Sequence, residues 1–139
     1  MFGKGPDIEE SERAKMNSIM LKAKLHQARV TESDLNYEGS MAIDQDLLDA
    51  VGIACYEKIL VANLENGNRF ETYAIPARRG SGTIGLNGAT VFQGGVGDRV
   101  IIFTFCSIPT GDIPNHHPKV LILNEKNQPV GPVRELSTM

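Results

Sequence analysis

A surplus of basic residues is missing from this chain. Its 139 residues carry 14 Lys and Arg against 17 Asp and Glu, a formal net charge of -3, so the clustered cations that a nucleic-acid partner requires are not expected. Long apolar runs are missing too. The longest, around "VIIFTFCSIP", is far below the roughly 20 residues of a membrane-spanning helix, and the beginning "MFGKGPDIEE" has no hydrophobic signal core. The expectation is a cytoplasmic protein with no membrane partner. Cysteine is scarce: Cys55 and Cys106 show neither a CxxC spacing nor a disulfide-dense pattern, which leaves two reduced, buried thiols. Of the 3 histidines, His116 and His117 are adjacent and on an extended chain point opposite ways, so they cannot share one ion and no metal site is expected. No repeat of solenoid period and no low-complexity segment occurs.

What is present is a globular composition, 41% hydrophobic and 22% charged with 14 Gly and 7 Pro, at a length suited to one domain. Residues 1-15, "MFGKGPDIEESERAK", mix charges without apolar periodicity and read as an N-terminal extension; residues 16-139 form the single domain. From Ser18 the pattern alternates, with Ile19, Leu21, Ala23 and Leu25 on one face and Met20, Lys22, Lys24 and His26 on the other. This predicts a half-buried strand presenting basic groups. Asp44 is a suitable N-cap for a short helix that turns Leu47, Leu48 and Val51 to the core and stops at Gly52. "KILVANLENGNRFETYAI" holds two alternating runs around Asn66-Gly67, a strong hairpin signal. "RVIIFTF" and "KVLIL" read as further strands between glycine turns. Many short strands and few short helices imply a mainly β barrel rather than a βαβ fold.

The stretch "NYEGSMAID" sets a Gly-Ser pair between a strand end and a helix start. Such pairs usually mark turns, and Gly80-Ser81 in "RRGSG" reads as one. A serine hydrolase is a poor fit for Ser40, because no G-x-S-x-G occurs and His26 lacks an evident third partner. A serine after glycine has another use. Its hydroxyl can attack the preceding carbonyl, which glycine leaves unobstructed, turning the amide into an ester. β-Elimination of the ester leaves dehydroalanine at position 40, and hydrolysis of that enamine leaves a pyruvoyl group.

The ordered segments "LKAKLHQARVTESDLNYEGSMAIDQDLLDAVGI", "NGNRFETYAI", "RRGSGTIGLNGAT" and "VGDRVIIFTF", over about residues 16 to 125, resemble the pyruvoyl-dependent aspartate 1-decarboxylases of bacterial pantothenate synthesis. Their joint presence is far more specific than any one short motif. The resemblance implies a double-psi β-barrel with short helices and a homotetramer. It also implies self-cleavage between Gly39 and Ser40 into a β chain of residues 1-39 and an α chain of residues 40-139, and conversion of L-aspartate to β-alanine and carbon dioxide. A maturation factor is a possible partner. The alternative is a non-catalytic or unprocessed barrel acting as a binding module.

The same resemblance assigns roles. The pyruvoyl made from Ser40 takes the substrate amine as a Schiff base and acts as an electron sink. Arg69 clamps a substrate carboxylate, a role suited to a guanidinium fork, and Lys24 lies near the substrate. Thr72 hydrogen-bonds the Gly39 carbonyl during processing and also contributes to substrate binding, while Tyr73 donates a proton. Asn87, Gly88, Ala89 and Thr90 complete the substrate pocket. On a regular strand Arg69 and Tyr73 share one face and Thr72 takes the other, so a kink, a bulge or subunit geometry has to reconcile them. Three features depart from the family pattern: Met41 stands where relatives often carry cysteine or a β-branched residue, Thr90 replaces a common alanine, and the first 15 residues are additional.

Overall fold

The computed structural model describes residues 9–137. In chain order the elements are α1 (Glu10–Lys15), β1 (Asn17–Arg29), β2 (Glu32–Asp34), β3 (Ser40–Asp44), α2 (Gln45–Val51), β4 (Lys58–Asn63), β5 (Arg69–Ala77), β6 (Ile84–Asn87), β7 (Arg99–Pro109), β8 (Lys119–Ile122) and β9 (Arg134–Glu135). Short 3-10 helices cover Gly88–Gln93 and Thr110–Asn115. The strands run in the order β2-β6-β3-β5-β4-β7-β1-β8-β9. Antiparallel pairs dominate, but β1 with β8, β3 with β5, and β2 with β6 are parallel. The architecture is the mainly β, barrel-like class expected, with a few short helices. Of the residues read as an extension, 1–8 lie outside the described residues, and Glu10–Lys15 forms a charged helix against the Thr110–Asn115 turn.

Alternation builds the core. Ile59 and Val61 of β4, Ile102 of β7, Ile84 and Leu86 of β6 and Leu25 of β1 are buried to 1% exposure or less, each such side chain contributing about 1.5–3 kcal/mol of burial. α2 forms as the sequence implies. Asp44 caps it by accepting the Asp46 N–H at 2.9 Å, Leu47, Leu48 and Val51 face inward, and Gly52 ends it. The β4–β5 hairpin turns at Asn66-Gly67, where Gly67 has φ +76, a conformation that most side chains resist. Gly80-Ser81 is a turn whose serine hydroxyl donates to the Arg78 carbonyl at 2.5 Å.

Two expectations need correction. Ile19 is 79% exposed rather than core-facing. Residues 17–21 of β1 pair only with the far end of β7, beyond the reach of β4 and β8, and register shifts between Leu21 and Ala23 and between Leu25 and Ala28 reset the alternation. Only from Ala23 does the inward face meet the core. The cysteines differ as well: Cys55 is exposed in the turn after α2, and Cys106 is half-buried near the outer end of β7, so neither is a core thiol.

Candidate active site

β3 enters the barrel with all five of its residues buried, and its first residue is Ser40, 1% exposed. In the antiparallel ladder with β6, Ser40 stands opposite Asn87. The Asn87 amide donates to Ser40 Oγ at 3.2 Å, and the hydroxyl itself donates to the Glu38 carbonyl at 3.1 Å. Gly88 follows with φ +62, and a Cβ there would lie 2.7 Å from Cα and 2.8 Å from N of Gly39. Only glycine leaves room for the backbone of residue 39 to pass. Thr90 Oγ1 donates to the Asn87 carbonyl at 2.7 Å and lies 3.5 Å from the Ser40 carbonyl, the outer limit of a hydrogen bond. Gly39, Ser40, Asn87, Gly88 and Thr90 are thus brought together, while Ala89 is exposed in the same turn.

This is not the geometry of a plain turn. A donor aimed at Oγ favours the charge that develops as the hydroxyl loses its proton. To attack the Gly39 carbonyl, the hydroxyl must first leave the Glu38 carbonyl. Beyond that rotation, nucleophile and target are adjacent in the chain and are contacted by Asn87, Gly88 and Thr90.

Thr72 and Tyr73 reach this region through β5. The parallel ladder between β3 and β5 begins at Met41 and Ala74. Gly39 and Ser40 precede Met41 as Thr72 and Tyr73 precede Ala74, so the parallel direction of the strands puts both pairs at the same end of this ladder. Pairing of β5 with β4 is continuous from Arg69 to Tyr73 without a register shift, so Arg69 and Tyr73 occupy one face and Thr72 the other. No kink or bulge reconciles them within one chain.

Lys24 and Arg69 meet elsewhere. Lys24 Nζ lies 5.5 Å and the Arg69 guanidinium carbon 5.9 Å from the centre of the Phe103 ring, within cation–π range. Neither cation forms an ion pair among the described residues, unlike Lys22, Lys58, Arg79 and Arg99. Phe103 is a site neighbour that sequence reasoning missed, although the alternation of "VIIFTF" puts it on the face opposite Ile102 and Thr104. His26, on the same strand as Lys24, has its pKa lowered by burial and then by Lys24 and Arg134, and its Nδ1 is buried without a hydrogen-bond partner. A pocket of about 520 Å³ is lined by Glu32, Asp34, Tyr37, Ala42, Ile75 and Asn87 among others, with no Lys or Arg, and meets the serine cluster at Asn87. Lys24 on β1 is separated from β3 by β7, β4 and β5, and Arg69 opens β5 five residues before Ala74, the partner of Met41, so within one chain the two cations on Phe103 and the buried serine lie apart. His116 and His117 each bond a carbonyl, of Leu21 and Leu136 respectively.

A family model described as aspartate decarboxylase matches residues 16–130. The chain belongs to the aspartate decarboxylase family. A relative named aspartate 1-decarboxylase from Polynucleobacter asymbioticus is 54% identical over 112 residues, 81% of this chain and 93% of the relative. One of the same name from Psychromonas ingrahamii is 54% identical over 81% of this chain and 89% of its own length. Another from Leptospira biflexa is 51% identical over 78% and 92%. The matched region of this family member spans every residue of the Ser40 cluster and both cations on Phe103, and it begins after α1.

Proposed function

We propose that this chain is the precursor of an aspartate 1-decarboxylase that cleaves itself between Gly39 and Ser40 and then converts L-aspartate to β-alanine and carbon dioxide for pantothenate synthesis in the cytoplasm. The observation that carries this reading is the buried Ser40 hydroxyl, gripped by the Asn87 amide while Gly88 admits the Gly39 backbone. In processing, Ser40 Oγ bonds to the Gly39 carbonyl carbon and the Gly39-Ser40 amide bond breaks. Thr72, on the strand that runs beside β3, hydrogen-bonds the developing oxyanion. Elimination then leaves Gly39 as a carboxylate and residue 40 as an enamine, which water converts to the pyruvoyl with release of ammonia.

A three-carbon group replacing serine fits the space that Ser40 fills, since it extends no further than the hydroxyl that Asn87 already meets. When formed, that group supplies the electron sink for loss of the α-carboxylate. Around it, Asn87, Gly88, Ala89 and Thr90 shape the pocket. Tyr73 protonates the carbon that carbon dioxide leaves. Lys24 and Arg69 bind the dicarboxylate, a task that the pocket at Asn87, lined by Glu32 and Asp34, cannot perform alone. Their separation from Ser40 in one chain favours a homotetramer in which one copy's Phe103 face meets another copy's Ser40 pocket. The resting bond from Ser40 to the Glu38 carbonyl gives a maturation factor something to shift. The alternative of a non-catalytic barrel is not favoured by membership of this family.

The test is formation of β-alanine from L-aspartate by the purified chain and its absence with Ser40→Ala. For the shared site, inactive Ser40→Ala and Arg69→Ala chains co-assembled in one preparation should regain activity, each supplying what the other lacks. Parent activity from Ser40→Ala would end the proposal; no recovery on mixing would confine the site to one chain.

A further inference from the structure

Among the described residues, three non-glycine residues have positive φ: Gln27, Tyr56 and Asn127. Asparagine tolerates this conformation, and Gln27 sits at a register shift of β1. Tyr56, at φ +69, is a bulky aromatic in the left-handed region, and burial does not offset the strain because it is 75% exposed. Local bonds hold it there. The Tyr56 N–H donates to the Ala74 carbonyl at 2.7 Å, and the Ala74 N–H donates to the Glu57 carbonyl at 3.0 Å. The Glu57 carboxylate accepts the Ala54 N–H at 3.0 Å and the Lys22 ammonium at 2.8 and 3.0 Å. The turn before β4 is therefore clamped to β5 at the residue next to Tyr73. In that conformation the Tyr56 ring lies 6.1 Å from the Tyr73 ring, tilted by 57°, in the range where aromatic quadrupoles attract.

We propose that Tyr56 is a positioning residue for decarboxylation: its ring, held in place by a strained backbone, restricts the Tyr73 ring so that the phenol points at the carbon it protonates. The inference rests on the reading of Tyr73 as proton donor. Strain kept at an exposed residue that touches a reactive one suggests a use in turnover rather than in folding.

Opposite signs of stability and activity provide the test. Tyr56→Asn removes the ring and suits the backbone, so Tm should equal or exceed the parent's, and cleavage at Gly39-Ser40 should be unchanged. The kcat for L-aspartate should fall roughly three- to tenfold with KM unchanged, as expected for loss of one aromatic contact. Tyr56→Phe keeps the ring and should retain the parent kcat. In a Tyr73→Phe background, Tyr56→Asn should lower kcat no further, because it acts through Tyr73. A parent kcat for Tyr56→Asn, beside a slow Tyr73→Phe, would overturn this inference alone. Tm and kcat falling together, with the same loss in the Tyr73→Phe background, would show a merely structural role. Parent kcat in Tyr73→Phe would overturn both the inference and the role of Tyr73.

Discussion

Thr72 and Tyr73 are neighbours in sequence to which the proposed function gives different tasks, and the strand that carries them runs beside β3. In the proposed reading Thr72 serves the Gly39 carbonyl during processing and Tyr73 the later proton transfer, and both precede Ala74, the β5 partner of Met41. Thr72→Ala is therefore expected to stay largely uncleaved, and Tyr73→Phe to cleave normally yet make β-alanine at least tenfold more slowly, within the usual range for losing a general acid. Cleaved fraction by denaturing gel and β-alanine by chromatography separate the two outcomes. The residue types at these positions and, through the family resemblance, their expected roles were legible in "ETYAI", but the strand that lies alongside them was not. Asn87 shows the same limit: its bond to Ser40 joins residues 47 apart, and locally "LNGAT" reads only as a turn. The meaning of Ser40 came from several ordered segments together, since Gly80-Ser81 is the same dipeptide with no chemistry.

Among the elements, those fixed by local rules were readable. α2 has its N-cap, its inward face and its stopping glycine within nine residues, Asp44 to Gly52, and the β4–β5 hairpin has its Asn-Gly turn. β1 was readable only in part, because bulges and the length of its partner strand set which residues meet the core, and Ile19 lies on a two-stranded extension. Nor did the sequence reveal how much Asp44 holds. Its carboxylate accepts the Asp46 N–H that starts α2, the Gly80 N–H at 3.1 Å and the Gly82 N–H at 2.9 Å, tying the helix to the turn before β6. Asp44→Ala leaves these part-buried donors without their acceptor and should cost about 2 kcal/mol, lowering Tm by roughly 6 °C. Asp46→Ala, which removes one arm of an exposed pair with Arg79, should leave the midpoint close to the parent's. Thermal unfolding of both variants checks the contrast.

For the complete protein, pH reports on the cationic face. Burial, and then Lys24 and Arg134, hold the His26 pKa below its ordinary value. The unfolded chain therefore takes up a proton near pH 6.5 that the folded chain resists, so stability should decline as pH falls from about 6.5 toward the folded pKa. His26→Gln should flatten that decline between pH 7.5 and 5.5 in unfolding measurements. An identical slope in parent and variant would show that His26 does not contribute. The central claim, that the chain makes its own reactive group, is tested most directly by intact-mass spectrometry of the purified protein. The expected result is two fragments, residues 1–39 ending in a free carboxylate and residues 40–139 lighter by one ammonia than a peptide beginning with serine, with Ser40→Ala remaining whole. A parent chain that stays at its full 139-residue mass after prolonged incubation, or a 40–139 fragment that begins with an unmodified serine, would contradict it.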